Sequence, residues 1–197
     1  MPPATAPLPV PLAAPLAGPQ CLAHPDWLYH TLTASGPAAA LAAFREQAAG
    51  AGVVPWVYDY DAMEEDWFYL LLAPPAHLRG ISAHGARLLA RQLREAVWAG
   101  HEHALSLVGV SRACPFDLYR LVPVPFAILR LGADHPDALA WLWENWGTTW
   151  ALRHVSPLAM PGAFGVGFWS ADWSPWPALR RIQADWPSLR FHCRAHY

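Results

Sequence analysis

From residue 27 to 34 the chain alternates. Leu28, His30, Leu32 and Ala34 fall on one side, and Tyr29, Thr31 and Thr33 on the other, the period of two that marks a half-buried strand. Ser35-Gly36-Pro37 then predicts a helix start, with Ser35 as cap, Pro37 in the first turn and Leu41, Phe44 and Ala48 on one face. Gly50 and Gly52 predict its end. The last stretch alternates again: Leu189, Phe191, Cys193, Ala195 and Tyr197 face one way, while Arg190, His192, Arg194 and His196 face the other.

The segment 53–113 reads as an insertion. It holds an extended run over 53–60, the acidic residues Asp59, Asp61, Glu64, Glu65 and Asp66, and an apolar run over 67–72. Ser82 caps an amphipathic helix that turns Ala86, Leu89, Leu93 and Val97 inward, presents Arg87, Arg91 and Arg94 on another face, and stops at Gly100. Residues 104–110 fit strand or helix equally.

Strand character over 116–122 ends in Pro123-Val124-Pro125. Asp134, followed by Pro136, predicts the cap of a helix carrying Leu139, Leu142, Trp143 and Trp146. Residues 150–155 and 164–170 predict two strands. Ser174 predicts the cap of a last helix with Leu179, Ile182 and Trp186 on its core face. The expected fold class is therefore α+β, a ferredoxin-like sandwich with an antiparallel sheet and helices on one face, elaborated by the insertion. It requires the stretches before Gly50 and after Phe116 to meet as neighbouring strands.

Composition adjusts the picture in three places. Residues 1–25 are rich in Pro and Ala with no charge before Asp26, which predicts a disordered tail ahead of a single domain over 26–197. No apolar run approaches the roughly 20 residues of a membrane span, and the start lacks a cationic secretory leader, so a cytoplasmic protein is expected. Cys21, Cys114 and Cys193 are scattered without metal-type spacing. All thirteen basic residues are Arg, against fifteen acidic ones, and the net charge of −2 gives no global attraction to nucleic acid. Any such binding must come from one local face.

Several segments together resemble a family of phage- and plasmid-encoded proteins with a YubB ferredoxin-like domain. They are Leu32-Thr33-Ala34-Ser35-Gly36-Pro37, Phe116-Asp117 through Leu121-Val122-Pro123-Val124-Pro125, and Glu144-Asn145-Trp146-Gly147-Thr148-Thr149-Trp150. Ala171-Asp172-Trp173-Ser174-Pro175 and Trp186-Pro187-Ser188-Leu189-Arg190-Phe191 complete the set. The chain departs from the pattern at Thr149, where a Lys is usual, and at Trp176, where a second Pro is usual. The resemblance implies a fold and a mobile-element context, and no catalytic residue.

Two surfaces are candidate binding sites. Trp146, Thr148, Thr149, Trp150, Trp173 and Ser174 are read either as a Trp-lined cleft with orienting hydroxyls or as caps and wedges between layers. Arg190, His192, Arg194 and His196, with Tyr119 and Trp169 nearby, are read as a sheet face mixing cations and aromatic platforms. His101-Glu102-His103 brings two imidazoles together only if extended, with His84, Asp59 or Cys114 as third ligand, so no metal and no cofactor are expected. Gly109-Val110-Ser111-Arg112-Ala113 lacks the strand–turn–helix context of a nucleophile elbow. Gly165-Val166-Gly167 reads as a flexible or closely approached strand. The expected function is a non-enzymatic binding module for a protein or single-stranded nucleic acid, without membrane attachment. The alternative is a small metal-dependent hydrolase or nuclease-like enzyme.

Overall fold

The computed structural model describes residues 26–196. Expectations for the tail over 1–25, for Cys21 and for Tyr197 fall outside them. Strands β1 (Trp27–Ser35), β2 (Arg153–Pro157), β3 (Phe164–Ala171) and β4 (Arg190–His196) form one antiparallel sheet in the order β2-β3-β1-β4. The helices are α1 (Ala38–Ala48), α2 (Tyr60–Leu72), α3 (Ala83–Leu107), the short α4 (Leu118–Leu121) and α5 (Phe126–Leu129), α6 (Pro136–Asn145) and α7 (Trp176–Asp185). The stretches before Gly50 and after Phe116 do meet: β1 pairs with β4 from Tyr29↔His196 to Ser35↔Arg190. Among the described residues no helix is long and apolar enough to cross a membrane.

The alternation in β1 sends His30, Leu32 and Ala34 into the interior, and β3 adds Phe164, Val166 and Phe168 on the same side. Leu41 and Phe44 of α1, Leu142 of α6 and Ile182 of α7 close over them. Phe44 is the hub, its ring edge-on to Phe164 at 5.1 Å, Trp186 at 5.3 Å and Phe191 at 5.1 Å. Each fully buried side chain of this size contributes about 1.5–3 kcal/mol through removal of apolar surface from water. The backbone turns out of α6 through Gly147 at φ 79°, where a Cβ would lie 2.4 Å from Pro177 Cδ at the start of α7.

Several local expectations are corrected. Residues 116–122 are not a strand: Asp117 caps α4, its carboxylate accepting from Tyr119 N at 3.0 Å and Gly52 N at 2.9 Å. The buried Leu118, Leu121 and Val122 follow helical spacing. Neither Ser35 nor Ser174 caps a helix; Pro37 and Pro175 hold those positions with no side-chain bond. His135, not Asp134, caps α6, its Nδ1 accepting from Asp137 N at 3.2 Å. β2 lies three residues later than the start expected at Trp150.

The insertion is a helical hairpin. The acidic cluster and the apolar run after it are one helix, α2, capped by Asp59 through Ala62 N. Ser82 caps α3 as expected, but the helix passes Gly100, because Tyr60 hydrogen-bonds His101 Nδ1 and Tyr58 packs 4.7 Å from the same ring. These contacts offset the ~1 kcal/mol that an interior glycine costs a helix. Only Ala86 and Ala90 of α3 are buried, while Leu93 and Val97, expected inward, are exposed. Two of the Arg residues on that other face are paired with α2: Arg94 Nε lies 3.0 Å from Glu64 Oε2, and Arg87 grips Glu65 at 2.5 Å with its guanidinium 3.7 Å above Phe68.

Candidate functional site

The side of the sheet away from the helices is built from the odd positions of β1 and β3 and the even positions of β4, so register decides which side chains meet. Arg153 pairs with Trp169, Trp169 with Tyr29, and Tyr29 with His196. These four residues form one row crossing all four strands, about 14 Å long at the ordinary strand spacing. The Tyr29 ring lies 5.3 Å from Trp169 and 5.4 Å from His196. Glycine makes this possible, because a Cβ at Gly167 would fall 2.3 Å from the Tyr29 hydroxyl oxygen. Of the two readings of Gly165-Val166-Gly167, the closely approached strand is the one observed, with Tyr29 lying over Gly167 and Met160 over Gly165.

Along β4, Arg190, His192, Arg194 and His196 form an exposed column at right angles to the aromatic row. Thr31 Oγ1 holds His196 Nε2 at 3.1 Å. At the opposite edge Arg153 reaches across β3, its guanidinium 4.5 Å above the Trp27 ring and 5.1 Å from Trp150. A bulge between Arg153 and Ser156 sets this direction, and within it His154 takes a left-handed backbone at φ 50°. Trp27, Arg153, His154 and Trp169 surround an open cavity of about 410 Å³.

The strands contain no Asp or Glu, although the chain has fifteen. Their charged and ionisable side chains are Arg153, Arg190, Arg194, four histidines, Tyr29 and the Cys193 thiol. Cys193 faces the helices, where burial pushes its thiol up to about 11. A chain of net charge −2 therefore confines its carboxylates elsewhere and leaves a cationic, aromatic sheet surface.

The Trp-rich constellation separates on folding. Trp146 is fully buried and donates Nε1–H to Val122 O at 2.9 Å. Thr148 donates to Ala171 O at 2.8 Å and accepts from Ala171 N at 3.0 Å, while Thr149 donates to the Asp172 carboxylate. Ser174 shares a 2.8 Å hydrogen bond with the buried His30 Nε2. Burial lowers the His30 pKa from its ordinary value, with the Leu28 carbonyl opposing. Trp173 is exposed, and Trp150 is the member that reaches the sheet surface, beneath Arg153. Trp146, Thr149 and Trp150 also border a cavity of about 280 Å³ beside Trp56 and Asp134.

The β4 residues are gathered where the alternation placed them, with Trp169 in the adjoining row. Tyr119 is not there: it is half-buried in α4 and packs against the core. Trp27, Tyr29 and Arg153 were not singled out as site residues. The odd-position alternation in β1 carried a signal for the first two, and Arg153 had none. His101 and His103 sit two apart on α3, a spacing that points side chains apart. Among the described residues no group of three His, Cys, Asp or Glu is placed to share an ion.

No family model and no curated protein matches the sequence. Among solved structures, the crystal structure of the protein api92 from Yersinia pseudotuberculosis, assigned to the family model DUF1281, is similar. The two are 14% identical with a TM-score of 0.51, over 88% of this chain and 90% of that one. A likeness at that identity concerns the fold, and it supports a mixed α+β architecture of a four-stranded antiparallel sheet with helices.

Proposed function

We propose that this chain is a non-enzymatic binding module that takes single-stranded nucleic acid across the open face of its sheet. The observation that carries the reading is charge segregation: a net-acidic chain whose strands hold three Arg and no carboxylate, on the face that also sets the Tyr29 ring 5.3 Å from Trp169. Unpaired bases have free π faces that aromatic side chains hold at about 1–3 kcal/mol each, and cations beside them neutralise phosphates. In this reading bases lie on the row Trp169–Tyr29–His196, and the backbone follows Arg190, His192 and Arg194. A duplex hides its base faces and binds more weakly.

The scaffold fits. A sheet ordered β2-β3-β1-β4, with α1 after the first strand and α7 between the third and fourth, supports the ferredoxin-like sandwich expected from the sequence. The resemblance to the phage- and plasmid-encoded family supports a mobile-element accessory role for the same chain.

Fluorescence anisotropy with labelled ten-nucleotide dT and rU strands at low salt tests this on the full chain. Binding of the single strands, several-fold tighter than a duplex and weakened roughly tenfold in the Arg190→Ala/Arg194→Ala variant, is expected. Failure of both strands to bind the folded protein overturns it.

A further inference from the structure

Arg153 is held in an unusual way. Its guanidinium lies against two indoles, Trp27 and Trp150, which stand edge to face at 6.4 Å. Among the described residues it has no carboxylate partner. Contact with the two indoles restrains the guanidinium and spends none of its N–H donors on a carboxylate, and a restrained fork suits two adjacent acceptors on a flat ligand. Beside it, the cavity of about 410 Å³ offers the half-exposed Trp169 indole as a second flat wall. The pocket ends the row on which the bases lie, and His154 on its rim holds a left-handed backbone that a non-glycine residue adopts only at a cost.

We infer that this cavity is a guanine pocket: Trp169 stacks one unpaired base, and the Arg153 fork donates to O6 and N7 of its Hoogsteen edge. Guanine presents two acceptors side by side there, whereas adenine sets an amino donor against the guanidinium. The inference rests on the single-strand reading above and gives it a base preference, so strands carrying an unpaired guanine are the ligands it selects.

The test uses ten-nucleotide oligo-dT strands with one central dG, dA, dC or 7-deaza-dG, titrated by anisotropy into the full chain. The dG strand binds roughly tenfold tighter than the dA and dC strands, the gain expected of a bidentate contact. That gain disappears with 7-deaza-dG, which lacks the N7 acceptor. It disappears also in Arg153→Lys, which keeps the charge but not the fork, while affinity for plain oligo-dT stays within about twofold. Arg190→Ala/Arg194→Ala lowers affinity for every strand and leaves the dG preference intact. Equal affinities for the four strands, an equal gain with dC, or a dG gain that survives Arg153→Lys overturns the pocket while single-strand binding stands. Absence of binding to any strand overturns both.

Discussion

Tyr29 of β1 lies across Gly167 of β3, so close that a methyl group on residue 167 would meet the phenol oxygen at 2.3 Å. The glycine is a notch into which the ring folds, and the notch brings Tyr29 within 5.3 Å of Trp169. Gly167→Ala should lift the ring off the strand and break the aromatic row. Single-strand affinity falls roughly tenfold by loss of one stacking platform. The melting temperature holds or rises slightly, because Ala is a better strand residue than Gly and the ring has solvent to move into. Anisotropy and a thermal melt on the same variant check both halves.

Phosphate contacts by the sheet Arg residues fix the salt response. With Arg190 and Arg194 as the phosphate cations, log K falls with log salt at a slope of about −1.4, since each neutralised phosphate of a single strand contributes roughly −0.7. Arg190→Ala/Arg194→Ala removes most of that slope. Titrations between low and physiological salt give both values.

Stability should depend on His30. Burial holds its imidazole below the ordinary 6.5, so the unfolded chain takes up a proton that the folded chain resists. The stability tied to neutral His30 is complete above about pH 6.5 and is lost as pH falls through the lower folded value. The urea midpoint of the wild type drops between pH 7.5 and pH 5.5. In His30→Asn, which starts lower because the Ser174 bond is altered, it changes less over the same interval.

Trp146 binds the layers through one hydrogen bond to a carbonyl with no exposure to water. Trp146→Phe keeps an aromatic ring in place but leaves Val122 O without the indole donor. A loss of about 1–3 kcal/mol follows from the unpaired buried acceptor, read from urea unfolding. Single-strand affinity, measured on the folded variant, stays at the wild-type value.

The alternating runs that became β1 and β4, and the helix faces of α1 and α7, were legible because each records a local decision about which side of an element meets water. The run over 116–122 misled because Phe116, Leu118 and Val122 satisfy a period of two, while the capping carboxylate of Asp117 enforces a helical turn with Gly52 as a distant donor. Gly100 misled because the contacts that carry α3 past it come from Tyr58 and Tyr60, some forty residues earlier in the chain. The Trp-rich constellation was legible as a cluster, but whether each hydroxyl and indole faces a partner or a cavity depends on elements far away in sequence.

For the site the division is sharper. Sequence alone determined that β4 would present Arg190, His192, Arg194 and His196 together, since period-two geometry needs no partner to put them on one side. Only the tertiary structure decided that Trp169, Tyr29 and Arg153 would stand in line with them. Strand register is set by pairing across some 140 residues of intervening chain and by a bulge at His154, and neither leaves a mark in local hydropathy.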